Sequence, residues 1–293
     1  MVSRETSRGA KSPTFAKPPA TIIVPLLEQR NDWLEQSIVS AVEQTVYCEV
    51  IVVHASRTST SNRDLLRTLG LKYPNLKVID QGERAGFAAA INVGIESSSS
   101  QRIGLLMTDD WLDLNAVERC LASPYDIVST GLTTYRADGR TRLPEISTQP
   151  SRRGFEQLKS LPDRASYLSH FFLFRAEKVR AVGGVDEKVG DFAGVDDFDL
   201  IWVMLEHGAT VGIVEESLYN YRDHEGDRLT TKDRASGIRD LEKILVKHKV
   251  AGAEWRRLIA SHSRWYGDTI EHAYNRLRKM TTGADDIPGN PKS

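Results

Sequence analysis

Short apolar runs alternate with amphipathic stretches through the first half of the chain. The apolar runs hold four or five residues rich in Val and Ile, and they predict strands at 21–25, 49–53, 76–79 and 103–107. The stretches between them place hydrophobic residues at helical spacing and predict helices at 34–46, 64–69 and 86–95. Strands that alternate with helices predict a parallel sheet sandwiched between helices.

The second half of the pattern is less regular. Further strands are predicted at 126–130, 171–174 and 210–214, followed by amphipathic helical sequence from 232 to about 280. Residues 1–20 are rich in Ser, Arg, Lys and Pro and lack a hydrophobic period, which predicts a disordered leader. The predicted organisation is therefore a leader at 1–20, an α/β domain at 21–231, a helical extension at 232–280 and a flexible tail at 281–293.

Composition narrows the class of protein. A hydrophobic share of 40% and a charged share of 27% are ordinary for a soluble globular protein, and a net charge of −1 argues against a nucleic-acid binder. The two cysteines, Cys48 and Cys120, have neither disulfide-scaffold nor zinc-ligand spacing. Since the sequence offers no membrane span or secretory signal, we expect a cytoplasmic protein.

Two adjacent carboxylates, Asp109 and Asp110, follow the apolar run at 103–107. Like charges at this spacing repel each other, and a divalent cation would neutralise them. Because ligands bind beyond the carboxyl ends of parallel strands, His54 and Arg84 should lie at the same rim. An isolated Asp-Asp pair is also compatible with an ordinary surface loop. The motifs in the rest of the chain distinguish between these two interpretations.

The order of motifs resembles that of the inverting, nucleotide-sugar-dependent glycosyltransferases of the GT-A fold, which are similar to glycosyltransferase family 2. The matching features run from Ile22 to about Arg228. They are the first strand ending at Pro25, Ser40 with Gln44, the strand at 50–53, Arg84-x-Gly86 with Asn92 and Gly94, Thr108-Asp109-Asp110, Phe174-Arg175 with the segment 183–187, the segment 196–200, and Tyr221-Arg222-Asp223-His224. The resemblance implies a Rossmann-like, mostly parallel sheet between helices, with a helical C-terminal extension.

The resemblance also implies a metal-assisted donor site. Asp110 and His224 would hold Mn²⁺ or Mg²⁺, which stabilises the diphosphate leaving group as a Lewis acid. The donor would contact Asp109, at its ribose or through a metal-bound water, together with Pro25, Glu28, His54, Arg84, Gly86 and Asn92. An exposed loop histidine is the alternative for His224, and a surface salt bridge is the alternative for Arg84.

In the same family an acidic dyad at the start of a helix supplies the general base. Here the dyad is Asp196-Asp197, so Asp197 is the expected base and Asp196 the expected acceptor-binding partner. The alternative is that both cap the helix N-terminus, a role that suits aspartate without catalysis. Asp199 is expected to be structural.

Two departures from the family pattern concern the nucleotide pocket. His54 stands where relatives usually carry a base-reading aspartate, and Leu26-Leu27-Glu28 replaces the usual Thr-Tyr-Asn. Met107 also stands where many relatives have an additional acid. UDP is therefore the default donor nucleotide, with GDP and dTDP left open.

The resulting prediction is an inverting glycosyltransferase that moves a sugar to a glycan, polysaccharide or glycolipid acceptor. The alternatives are a catalytically silent GT-A scaffold and a sugar-nucleotide pyrophosphorylase, although the N-terminal region lacks the Gly-rich phosphate loop that a pyrophosphorylase needs. Residues 232–280 carry 12 Lys and Arg against 6 Asp and Glu. This basic, amphipathic stretch predicts either a peripheral contact with anionic membranes or a solvated face of packed helices.

Overall fold

Eight strands form one mixed sheet in the structure, a computed structural model that describes residues 17–189, 196–224 and 234–262. The strand order is β3-β2-β1-β4-β7-β6-β8-β5. In chain order the strands are β1 (Ala20–Leu26), β2 (Glu49–His54), β3 (Leu76–Asp80), β4 (Arg102–Leu105), β5 (Trp111–Leu112), β6 (Ile127–Arg136), β7 (Phe172–Arg175) and β8 (Val211–Asp223). Neighbouring strands among β1 to β4 pair in parallel, as do β6 and β8, whereas the other three pairings are antiparallel. The sheet is therefore mostly parallel, as predicted.

Helices cover both faces of this sheet. They are α1 (Asn31–Val42), α2 (Thr60–Lys72), α3 (Phe87–Ser97), α4 (Ala116–Leu121), α5 (Arg152–Gln157), α6 (Leu161–Tyr167), α7 (Ala176–Ala181), α8 (Asp196–Glu206), α9 (Arg234–Lys247) and α10 (Gly252–His262). Because successive side chains of a strand point to opposite faces, Ile22 and Val24 pack with α1, α2 and α4, while Ile23 packs with α3 and with α6 to α10. This arrangement confirms the predicted sheet between two helical layers.

The helical extension packs on the layer that contains α8. Leu241, Leu245 and Leu258 belong to the same buried cluster as Phe198 and Ile201 of α8. Polar contacts join the same elements, because Asp199 of α8 lies 2.6 Å from Lys247 Nζ and 3.0 Å from His248 Nε2. Asp199 therefore has the structural role expected of it, as a partner of the extension.

Several boundaries differ from the sequence-based prediction. The last strand, predicted at 210–214, extends to Asp223, because β8 pairs with the whole of β6 across a bulge near Gly131. Between β6 and β7, where the sequence pattern predicted no element, the chain forms a 3₁₀ turn at Pro144–Ile146 followed by α5 and α6, whose N-termini are capped by Ser151 and Ser160. Nearly all of the predicted leader, residues 263–280 of the extension and the predicted tail lie outside the described residues.

Among the helices that the structure describes, none combines the length and the apolar character that crossing a bilayer requires.

Candidate active site

The carboxyl ends of β1, β2 and β3 meet at one edge of the sheet, where Leu26, His54 and Asp80 are register partners. Beside this edge lies a cleft of about 380 Å³, here called the strand-end cleft. It is lined by Pro25, Leu26, Leu27, Ala55, Ser56, Arg57, Gln81, Gly82, Glu83, Arg84, Ala85, Gly86, Phe87 and Ala90. Its volume lies within the range typical of small-molecule sites.

Three of the residues predicted to bind the donor line this cleft, namely Pro25, Arg84 and Gly86. Gly86 precedes α3 with φ 102°, a backbone conformation that L side chains rarely adopt. Arg84 also has the salt bridges anticipated as its alternative role, to Glu96 at 2.9 Å and to Glu187. Arg57, which was not predicted from the sequence, also lines the cleft.

Other predicted donor residues have structural partners and lie outside the lining of the strand-end cleft. Glu28 accepts a hydrogen bond from the backbone N–H of Ser59, the N-cap of α2, at 2.9 Å. His54 is buried, and its Nδ1 lies 3.1 Å from the carbonyl oxygen of Ala55. Both side chains are therefore in contact with the protein's own backbone.

Asn92 likewise holds a loop. Its Nδ2 donates to the carbonyl oxygen of Val185 at 2.8 Å, and its Oδ1 accepts from the backbone N–H of Val185 at 2.9 Å. A Cβ at Gly184 would lie 2.4 Å from that Oδ1, so the amide fits against the loop only because residue 184 is glycine. The Gly-Gly-Val-Asp-Glu segment and Asn92 therefore form one structural unit.

Asp110 is buried and held by two donors from β8. Its Oδ2 accepts from the Tyr219 hydroxyl at 2.6 Å, and its Oδ1 accepts from the Arg222 backbone N–H at 2.7 Å. Only 2% of Asp110 is exposed. Burial, together with the neighbouring carboxylate, raises the pKa of Tyr219, which keeps the phenol protonated as a donor to Asp110. Both oxygens of Asp110 thus bond to the end of β8.

Asp109, in contrast, faces His224. Its Oδ2 lies 3.1 Å from His224 Nε2, and its side chain is 26% exposed. The ring of Trp33 packs against His224 with centroids 4.8 Å apart. The structure therefore places His224 against Asp109, whereas the predicted metal pair was Asp110 and His224. Within the described ranges, no set of three or more His, Cys, Asp or Glu side chains is grouped as a metal site.

Arg222 fixes the backbone beside this pair. Its guanidinium lies between the rings of Trp33 and Trp111, 4.8 Å from each centroid, and its Nε donates to the carbonyl oxygen of Asp109 at 2.9 Å. Burial lowers the pKa of Arg222, and the carboxylates of Asp110 and Asp109 oppose that effect. Arg222 was predicted only as part of a motif, and its contacts with Trp33, Trp111 and the Asp109 carbonyl give it a supporting role.

The predicted base lies on the other side of Tyr219, at the start of α8. Asp197 Oδ2 is 3.0 Å from His170 Nε2, and its Oδ1 accepts from the backbone N–H of Phe198 at 2.8 Å. His170 was not anticipated, because nothing in the sequence separates it from an ordinary buried histidine. Asp196 begins the helix, but its side chain lies outside the described part of the structure.

Asp197 opens on a second cleft, of about 450 Å³, between α6, α8 and α10. We call it the helix cleft, and its lining is Leu158, Asp163, Ala165, Ser166, Tyr167, Leu168, Phe172, Asp197, Phe198, Ile201, Arg257, Leu258 and Ser261. Most of this lining is apolar, and Arg257 and Asp163 form an ion pair of 2.7 Å within it. The helical extension thus contributes a wall of the cleft that contains the predicted base.

Solved structures with this fold carry nucleotide sugars. One similar structure is the mannosyltransferase PcManGT from Pyrobaculum calidifontis in complex with GDP-Man and Mn²⁺, with a TM-score of 0.59, 17% identity, and coverage of 95% of this chain and 79% of that chain. Another is S. aureus TarS 1-349 in complex with UDP-GlcNAc, with a TM-score of 0.60, 14% identity, and coverage of 92% and 74%. At these identities the likeness establishes the fold, which is GT-A.

The sequence comparison establishes the family. No curated protein sequence matches the chain significantly. The profile described as "Glycosyl transferase family 2", however, matches residues 21–183, more than half of the chain. The match spans β1 to β7 and includes the strand-end cleft and the Asp109-Asp110 turn. The chain therefore belongs to glycosyl transferase family 2 and is a glycosyltransferase.

Proposed function

We propose that the protein transfers a sugar, with inversion, from a nucleotide diphosphate donor to a hydroxyl group of a glycan or lipid-linked acceptor, with help from a divalent cation. The observation that carries this proposal is the Asp109–His224 pair, which places a carboxylate beside an imidazole just beyond β4. The donor nucleotide would occupy the strand-end cleft, and the acceptor would enter the helix cleft beside Asp197.

The residues at this position suit a divalent cation. Two neighbouring ligands of an octahedral ion, each at about 2.1 Å, lie about 3 Å apart. The 3.1 Å between Asp109 Oδ2 and His224 Nε2 agrees with such a pair. When bound, Mn²⁺ or Mg²⁺ would stabilise the negative charge that develops on the departing diphosphate.

Asp109 takes the ligand role in this proposal, in place of Asp110. The sequence analysis assigned the metal to Asp110, but the oxygens of Asp110 accept bonds from Tyr219 and Arg222, and the residue is buried. Asp109 is a quarter exposed and faces the second candidate ligand. With two protein ligands, the diphosphate and water would complete the coordination.

Asp197 would act as the general base. Its carboxylate lies at the rim of the helix cleft, where an acceptor hydroxyl could place its proton within hydrogen-bond reach. Inversion requires a single displacement, in which the deprotonating acceptor attacks the anomeric carbon opposite the departing diphosphate. Asp197 takes the acceptor proton as the new glycosidic bond forms and the bond to the nucleotide breaks.

The donor base is left open between UDP, GDP and dTDP. Arg57 and Arg84 line the strand-end cleft, and a guanidinium can pair with the diphosphate of any nucleotide donor. PcManGT was solved with GDP-Man and TarS with UDP-GlcNAc, so the fold accommodates a purine or a pyrimidine donor. We propose UDP as the first donor to test, and GDP as the second.

A donor screen with two matched variants tests the proposal. Release of UDP or GDP from UDP-glucose, UDP-GlcNAc and GDP-mannose should require Mn²⁺ or Mg²⁺. Asp197→Asn should lower release by about 10²–10⁴-fold while nucleotide binding persists. Asp64→Asn, on the exposed surface of α2, is the control. A protein that binds none of these nucleotides, with or without Mn²⁺, would support the silent scaffold instead.

A peripheral membrane contact through the basic extension stays a prediction. Lys243, Lys247 and Arg257 form ion pairs with Asp side chains of the protein, which neutralise part of the basic charge. Sedimentation with anionic liposomes at low and high salt tests the remainder, since a membrane contact of this kind should weaken with salt.

A further inference from the structure

We propose that His170 is a positioning residue for the reaction, which orients the carboxylate of the proposed base Asp197 through the close contact of its Nε2. This inference rests on the proposed function, because it assumes that Asp197 receives the acceptor proton. The 3.0 Å separation of His170 Nε2 and Asp197 Oδ2 is the central observation. His170 lies between α6 and β7, far in sequence from the base that it contacts.

The surroundings of the second ring nitrogen select the tautomer. His170 Nδ1 is buried and has no hydrogen-bond partner in the described structure. A proton on Nδ1 would therefore be a buried donor without an acceptor, which is costly. A proton on Nε2 has a carboxylate oxygen 3.0 Å from its nitrogen instead. The Nε2–H tautomer is favoured, and it places the proton on the nitrogen that contacts Asp197.

Aromatic rings fix the plane of the imidazole. The ring centroid of Phe172 lies 4.6 Å from that of His170, and the ring centroid of Tyr219 lies 5.1 Å from it. Tyr219 is in turn anchored by its hydroxyl on Asp110. Asp110 thus supports the base at a distance, through Tyr219 and His170, while its neighbour Asp109 faces the proposed metal.

These contacts leave His170 unsuited to deprotonate the acceptor itself. In a histidine base that is oriented by an aspartate, one ring nitrogen faces the aspartate and the other faces the hydroxyl group. Here Nε2 faces Asp197, and the other nitrogen is buried. Asp197 Oδ1 accepts from the backbone N–H of Phe198, so both carboxylate oxygens have a fixed neighbour. Such a pair of contacts sets the direction in which the carboxylate presents its remaining lone pairs.

Two substitutions at His170 separate positioning from packing. His170→Phe keeps an aromatic ring between Phe172 and Tyr219 but removes the donor, and His170→Gln restores a donor near the position of Nε2. His170→Phe should lower the rate of nucleotide release by about 10- to 100-fold, as misplacement of a catalytic group does, with nucleotide affinity unchanged. His170→Gln should recover most of that rate. His207→Gln, an exposed histidine that follows α8, is the control.

A spectroscopic measurement tests the tautomer without turnover. A long-range ¹H–¹⁵N correlation spectrum of the seven histidines, with His170 assigned from the His170→Phe spectrum, should show the proton on Nε2. Asp197→Asn should shift the Nε2 signal, because it changes the acceptor. A proton on Nδ1 would overturn the inference.

The rates distinguish the failure of this inference from the failure of the proposed function. If Asp197→Asn is inactive while His170→Phe matches the unmodified protein, the base assignment stands and the role of His170 is refuted. If Asp197→Asn keeps its full rate, the proposed base is wrong and the role of His170 falls with it.

Discussion

Asparagine substitutions at two adjacent aspartates distinguish the proposed metal ligand from the carboxylate that has a structural role. Asp109→Asn and Asp110→Asn each replace one carboxylate oxygen by an amide NH₂. At Asp110 the amide can accept from only one of Tyr219 and Arg222, and its NH₂ then faces the other donor. Losing a buried bond to a charged group costs about 2 kcal/mol, which corresponds to roughly 3 °C in Tm because the unfolding entropy grows with chain length.

Asp109→Asn should leave stability nearly unchanged. Its side chain is 26% exposed, and its contact with His224 is of the weak, partly solvated kind that contributes less than about 1 kcal/mol. The amide is a poor ligand for a hard cation, so the affinity for UDP or GDP in the presence of Mn²⁺ should fall by roughly 10-fold or more. Asp110→Asn, at a temperature where it is folded, should bind with near-native affinity.

Thermal unfolding and calorimetric titration of nucleotide with and without Mn²⁺ give the two measurements. The reasoning is refuted if Asp110→Asn has native stability but loses metal-dependent binding, while Asp109→Asn still binds. That result would restore Asp110 as the ligand, as the sequence alone suggested.

Three further predictions concern stability. Tyr219→Phe removes a buried hydrogen bond of 2.6 Å to Asp110 and should lower the free energy of unfolding by about 2 kcal/mol. Tyr73→Phe removes an exposed bond of the same length to Glu43 and should lower it by less than about 1 kcal/mol. Equal losses for the two variants in urea denaturation would contradict the burial argument. Gly184→Ala should cost roughly 1–3 kcal/mol in the same assay, because φ is +76° and the added Cβ would contact Asn92; an unchanged midpoint would count against it. Burial lowers the pKa of His248, but hydrogen bonds with Asp199 and Glu206 outweigh it and raise the pKa above 6.5. The stabilisation from His248 is therefore fully present below pH 6.5, and it is lost as the pH rises through the higher pKa of the folded state. Between pH 6 and 9, the Tm of the unmodified protein should therefore fall more than the Tm of His248→Gln.

The sheet and its helical layers could be predicted because their signals are local. The strands at 21–25 and 49–53 are continuous apolar runs, as strands covered on both faces are, and the structure confirms both as neighbours in the sheet. Boundaries were less accurate where partners decide them. The last strand extends to Asp223 only because β6 and β5 supply hydrogen bonds along it, and no residue pattern within 215–223 indicates that pairing.

The candidate site residues also differ in whether a local sequence pattern predicts their role. His224 and Asp197 were predicted because family motifs carry them, whereas Asp109 and Arg84 were predicted both from such motifs and because they follow strands. Asn92 belongs to an equally clear motif, yet its amide holds Val185 in place. A motif indicates that a residue type is needed at a position. It does not indicate whether that residue binds a ligand or the protein's own backbone.

His170 shows the limit more sharply, because its role depends on three elements that are distant in sequence. Its partner Asp197 lies in the first turn of α8, its supporting ring Tyr219 is in β8, and the anchor of that ring, Asp110, follows β4. The adjacent aspartates consequently serve different parts of the proposed reaction, with Asp109 at the cation and Asp110, through Tyr219 and His170, at the base. The chain turns at 108–109, at the adjacent aspartates. The Asp109-Asp110 motif therefore lies where the donor half and the acceptor half of the proposed site meet.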